Sequence, residues 1–193
     1  MKKARLIQSL VSEFEGKVST TWKGTAYRCA LIDYATPENL ISGKGAEKHG
    51  ARWIMPGVAP AVHLSSTEQT AVRESSLQFE RYGFKNPLKD PRVIVAIHTS
   101  FSKVLDLSRL DGLKTGFTLR ELLEEDWEEL NRHGQESLSQ CFGRAACALK
   151  YEAILAPSAR IARGKNLVVF PRNLSSGSLF RIQGEEKLRQ WLE

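Results

Sequence analysis

The sequence predicts a mixed α+β fold in a single compact domain. Helical periodicity and helix-start signatures recur in several separate segments, and short apolar or alternating runs suited to strands lie between them. The two kinds do not alternate regularly, as a doubly wound parallel sheet would require. The 193 residues give room for a sizeable core, and one domain over 1–193 is expected.

The elements follow in order. Leu6, Ile7, Leu10, Val11 and Phe14 recur at helical spacing, so a short amphipathic helix is expected within 1–20. Residues 20–32 read as extended, with Tyr27 and Arg28 inside. Residues 36–60 are rich in Gly, Pro and Ser and read as an ordered loop. The apolar run 60–64, with His63 in it, reads as a strand. Ser65-Ser66-Thr67-Glu68-Gln69 is a helix start, a hydroxyl cap with Glu or Gln three residues on. That helix should reach residue 82, with a turn region over 83–90. Val93, Val95 and Ile97 alternate as in a half-buried strand. Thr118-Leu-Arg-Glu121 is a second capping box and opens an acidic helix to about residue 132. Another helix is expected over 138–150, short strands over 154–156, 167–170 and 179–182, and a last helix over 185–192.

Bulk properties narrow the function. A net charge of +6 and a pI near 9.3 favour anionic ligands without choosing among them. Three cysteines, Cys29, Cys141 and Cys147, form no CxxC pair, which argues against a disulfide framework and for the cytoplasm. No apolar run is long enough for a signal peptide or a membrane span. His49, His63, His98 and His133 lack metal-ligand spacing, so no metal is expected. No GxSxG elbow occurs. Gly45 and Gly50 have P-loop spacing, but Ala51-Arg52 stands where Lys and a hydroxyl are needed. The basic residues are scattered and not interleaved with aromatics, which argues against direct nucleic-acid binding.

Five features remain, in order: Tyr27-Arg28, Gly50-Ala-Arg52-Trp53, His63, Glu74, and Pro157-Ser158-Ala-Arg160 followed by Asn166-Leu-Val-Val-Phe170. Their order resembles the RES domain, named for its Arg, Glu and Ser, over about 24–170. Arg28, Glu74 and Ser158 stand at those three positions. The N-terminal helix within 1–20 and the segment 179–193 flank the region of resemblance. Ala51, Ile54 and His63 depart from the family's usual Gly, Asn and Tyr.

The resemblance implies a fold similar to ADP-ribosyltransferase toxins. It also implies a toxin that consumes NAD⁺ as substrate, by hydrolysis, phosphorolysis or ADP-ribosyl transfer. A helix-turn-helix antitoxin and a homodimer are the partners it implies. Arg28, Glu74 and His63 become the expected catalytic residues. Arg28, Arg52, Trp53 and Ser158 become the expected NAD⁺-binding residues. The chemistry fits these residue types. Guanidinium forks match pyrophosphate oxygens, an indole offers a flat face, and a carboxylate stabilises the cation formed as the nicotinamide–ribose bond breaks. Plainer roles stand beside these. Arg52 could cap loop carbonyls, Trp53 could be core, and His63 could be a satisfied buried histidine. The departures leave a second class open, a RES-like module that binds NAD⁺, another nucleotide or a protein without turnover.

Overall fold

The computed structural model describes residues 2–15, 19–81, 91–108 and 116–192. The turn expected over 83–90 lies outside these residues. Eight α-helices and six strands occur among them. They are α1 (Lys2–Phe14), β1 (Thr20–Leu31), α2 (Pro37–Ser42), α3 (Lys44–His49), β2 (Val62–Ser65), α4 (Glu68–Arg81) and β3 (Arg92–Asp106), then α5 (Leu119–Glu124), α6 (Trp127–Arg132), α7 (Leu138–Ala148), β4 (Ala153–Pro157), β5 (Lys165–Val169), β6 (Leu179–Ile182) and α8 (Glu185–Leu192).

The strands run β1-β2-β5-β4-β3-β6, and β1 also pairs with β3. Five strands therefore close into a ring, with β6 alongside β3. Every pairing is antiparallel except β3 with β4. A parallel pair needs a long crossover, and the segment holding α5, α6 and α7 provides it. One core joins Ala26, Val62, Leu64, Ile97, Leu155, Leu167 and Val169, the residues that face one side of the sheet. A second core lies on the other side. There Ile154, Val168 and Phe170 meet α1 and α7, with Phe142 stacked edge-on to Phe14 at 5.6 Å between ring centroids.

The segment expected as one loop over 36–60 holds two short helices, α2 and α3, and is continuously non-helical over 50–60. The residues that suggest a loop serve as helix punctuation. Thr36 caps α2 by accepting from the Asn39 amide, with Pro37 following at the first turn. Gly43, at φ 72°, ends α2, and Gly50, at φ 77°, ends α3. A Cβ on Gly43 would lie 2.5 Å from the Ala61 nitrogen, so glycine is needed there twice over.

Two other boundaries differ from expectation. The hydroxyl that caps α4 belongs to Thr67, which accepts from the Thr70 amide at 3.2 Å, so the Ser65 and Ser66 pairings with Glu68 and Gln69 are not the ones used. The acidic helix breaks in two. Its Thr118–Glu121 capping box is present, but Glu125 is extended and Asp126 restarts the chain as the cap of α6.

Helix α7 presses closely on the segment 51–54. A Cβ built on Gly143 would sit 1.7 Å from the Trp53 carbonyl oxygen. Alanine normally gains up to ~1 kcal/mol over glycine inside a helix. Here the clash wins, and Gly143→Ala is expected to destabilise by about 3 kcal/mol. Urea denaturation checks this; unchanged or higher stability would contradict the close approach.

Candidate functional site

Glu74 lies in the middle of α4, which packs on β1 and β2. Its Oε1 accepts from the Ser158 hydroxyl at 2.6 Å and from Asn166 Nδ2 at 2.7 Å. Ser158 follows β4 and Asn166 lies in β5, so the carboxylate ties a helix to the turn between two central strands. Ser158 Oγ also accepts from the amides of Arg160 and Ile161, each at 3.1 Å. Its hydrogen atom is therefore directed at Glu74. Asn166 Oδ1 in turn accepts from Ser65 Oγ at 2.9 Å.

Strand register explains why these groups meet. Tyr27 pairs with Ser65, and Ser65 pairs with Asn166. Laterally paired residues share a face, so Tyr27, Ser65 and Asn166 form a row across three strands. His63, two residues before Ser65, shares that face. Arg28 alternates to the opposite face of β1, beside its partner Val95.

The Arg28 guanidinium donates to the Leu40 carbonyl, and among the described residues a carbonyl rather than a carboxylate meets it. Burial lowers its pKa to about 10. A buried cation met only by a neutral acceptor is costly, which suits a site that receives an anion. His63 Nε2 is buried, and among the described residues it has no hydrogen-bond partner. Burial first, then the charges of Arg28 and Arg52, push the His63 imidazole down to about 4. It is therefore neutral at physiological pH.

Arg52 sits in a tight turn closed by the Ala51–Ile54 bridge. The start of α7 holds that turn: Gln140 donates to the carbonyls of Ala51 and Ile54, and Ser139 to the carbonyl of Arg52. One Arg52 nitrogen donates to the carbonyls of Leu122 and Glu125 at 3.2 and 3.3 Å, where α5 ends. The carbonyl-capping role is thus present. Trp53 is 2% exposed and belongs to the core, so its ring face is turned inward. Ile54 is also fully buried, so the departure from Asn places an apolar side chain in an apolar setting. Gly50 closes a helix and packs against Pro56 and Asn131, and Gly45 has open space around it, so their glycine character has other grounds than a ligand cradle.

Of the expected site residues, Glu74 and Ser158 are in direct contact. His63 stands on the adjoining strand between the influences of Arg28 and Arg52. Ser65 and Asn166 are additional members. Their signal was available in part: Asn166 opens the last segment that carries the resemblance but reads as the edge of an apolar strand, and Ser65 reads as a cap. An open pocket of about 360 Å³ borders Ser158, lined also by Leu119, Arg120, Leu123, Glu124 and Ala159.

Fold and cluster together describe an α+β protein with a carboxylate clamped by Ser158 and Asn166. The RES domain profile matches residues 25–191. The chain belongs to the RES domain family. It is 26% identical over 167 residues to the NAD(+) phosphorylase MbcT of Mycobacterium tuberculosis strain H37Rv, covering 85% of this chain and 81% of that protein. The Mycobacterium bovis protein of the same name is similar to the same extent. The crystal structure of the M. tuberculosis MbcT–MbcA toxin–antitoxin complex superposes with a TM-score of 0.70 at 22% identity, covering 96% of this chain and 97% of that one. That likeness supports the fold. Among the described residues no helix is long and apolar enough to cross a membrane.

Proposed function

We propose that this chain is a toxin-type enzyme that cleaves NAD⁺ at the nicotinamide–ribose bond, with phosphate as the favoured acceptor. The observation that carries the reading is the Glu74 carboxylate, held through one oxygen by Ser158 and Asn166. The relatives named NAD(+) phosphorylase support the choice of substrate and acceptor.

The chemistry divides among few groups. The C–N bond to nicotinamide breaks, and its electron pair leaves with the neutral base, so no strong acid is required. Positive charge develops on the ribose, and Glu74 stabilises it. A phosphate oxygen then bonds to the same carbon and gives an ADP-ribose phosphate ester. Water in that role would give ADP-ribose and a proton. Arg28 and Arg52 supply charge for the pyrophosphate, and neutral His63 offers an unfilled ring nitrogen to the ligand. An antitoxin with a helix-turn-helix would neutralise the enzyme in a cytoplasmic setting, and the enzyme itself would form a homodimer.

Nicotinamide release from NAD⁺ by the purified chain tests this. Release is expected to rise at least 10-fold when phosphate is added, on the scale of a better-placed acceptor. Release that ignores phosphate would favour hydrolysis. The inward Trp53 and the engaged Arg52 favour a second reading, a module that holds NAD⁺ without turnover. Tight calorimetric binding with intact NAD⁺ recovered would establish it.

A further inference from the structure

The geometry points to Asn166 as a positioning residue that, with Ser65 behind it, fixes which oxygen of Glu74 faces the substrate. This inference rests on the reading of Glu74 as the carboxylate that meets the ribose. Both hydrogen bonds to Glu74 land on Oε1, and among the described residues Oε2 accepts none. A carboxylate held through one oxygen cannot turn freely, and its other oxygen keeps a set direction.

The orientation of Asn166 follows from its neighbours. Its partner on one side is a carboxylate, which only accepts, so the amide nitrogen must face Glu74. The carbonyl oxygen then faces Ser65, whose hydroxyl donates to it at 2.9 Å. Ser65 is 4% exposed and pairs with Asn166 across the β2–β5 ladder. A part-buried relay therefore runs Ser65 to Asn166 to Glu74, each link with its donor matched to an acceptor. Ser158 holds the same oxygen from the other side, but its loop hydrogen bonds are local. The relay through Asn166 is the part built into the rigid sheet.

The test is a mutant cycle on the full chain, read as nicotinamide release from NAD⁺. Asn166→Ala is expected to lower kcat on the order of 10- to 100-fold while leaving KM within about 2-fold, because it disturbs aim rather than binding. Ser65→Ala, which leaves the ladder and Asn166 in place, should lower kcat by a smaller factor, about 3- to 10-fold. In a Glu74→Gln background both should change the residual turnover by less than about 2-fold. That non-additivity is the signature of action through Glu74; a residue that merely supports the fold would lower turnover in either background. Full, additive losses in the Glu74→Gln background, or a change in KM alone, would overturn the inference and leave the catalytic reading of Glu74 standing. Wild-type turnover by Glu74→Gln itself would remove that reading, and the inference with it. Should Asn166→Ala fail to fold, the Ser65→Ala cycle carries the same decision.

Discussion

Glu74→Gln is expected to lower nicotinamide release by on the order of 10³-fold, about 4 kcal/mol of transition-state stabilisation. The fold should persist. Glutamine has the same shape, and its carbonyl oxygen can take the place of Oε1, keeping the hydrogen bonds from Ser158 and Asn166. The substitution therefore removes negative charge at the other oxygen and little else. Charge is what the reaction needs, because the developing ribose cation has no counterpart in the ground state. The loss should fall on kcat, with KM for NAD⁺ nearly unchanged, since uniform binding is left intact. Calorimetric affinity and thermal melting of the variant separate the outcomes. Full turnover by a folded Glu74→Gln protein would assign the cation's stabilisation to another group.

The arginines set a different balance. Arg28 is buried, and its guanidinium meets the Leu40 carbonyl. Arg52 spends one nitrogen on the end of α5. A guanidinium carries five N–H groups, so the Leu40 carbonyl alone does not exhaust Arg28. The two charges help keep the His63 imidazole neutral. A neutral imidazole adds no third positive charge to the field of the two guanidinium groups. The replacement of the family's usual Tyr by His63 thus preserves a neutral ring at that position above the low pH at which the ring charges.

Much of this was legible in the residues, and the failures have physical reasons. Periodicity found α1 because it hides a coherent apolar face, with Leu10 and Phe14 each 1% exposed. The segment 36–60 misled because Pro, Gly and Ser punctuate short helices as readily as they fill loops; Gly43 and Gly50 are helix ends with positive φ. Strand β3 runs well past the alternating Val93, Val95 and Ile97, through Thr99, Ser100 and Ser102. Pairing along both of its edges holds that polar stretch extended, and no local pattern reports such pairing. At the site, Glu74 and Ser158 were identified by resemblance. The contacts of Asn166 and Ser65 were not legible, because they depend on the β2–β5 register, which joins residues 101 positions apart. Trp53 shows the reverse case: its residue type suggests a ligand face, but its neighbours bury it.

Glu152 was invisible to the sequence and carries the largest expected effect on stability. It is 2% exposed and receives three hydrogen bonds on each oxygen. Oε2 accepts from the amides of Ser102 and Lys103 and from the Ser102 hydroxyl; Oε1 accepts from the Ser175 amide and the hydroxyls of Ser175 and Ser178. One side chain thus knots β3 to the start of β4 and to the turn before β6. Glu152→Ala would leave those donors unmatched, and it is expected to cost roughly 3–5 kcal/mol. Acid should reproduce part of that loss. Burial pushes the Glu152 carboxyl upward, but the donors from Ser178, Ser175 and Lys103 outweigh it and hold it at about 2. A folded pKa below the unfolded one gives stability that is present above about pH 4.5 and is lost as the pH falls toward 2. The depression corresponds to about 3 kcal/mol. His63 acts in the same direction over an earlier window, because its folded value near 4 lies below the ordinary 6.5. Urea midpoints should therefore fall from pH 6.5 downward and steepen below pH 4.5, and Glu152→Ala should abolish the steeper part. A variant with wild-type midpoints at pH 7 would show that the serine and backbone donors find water instead and that the knot is dispensable.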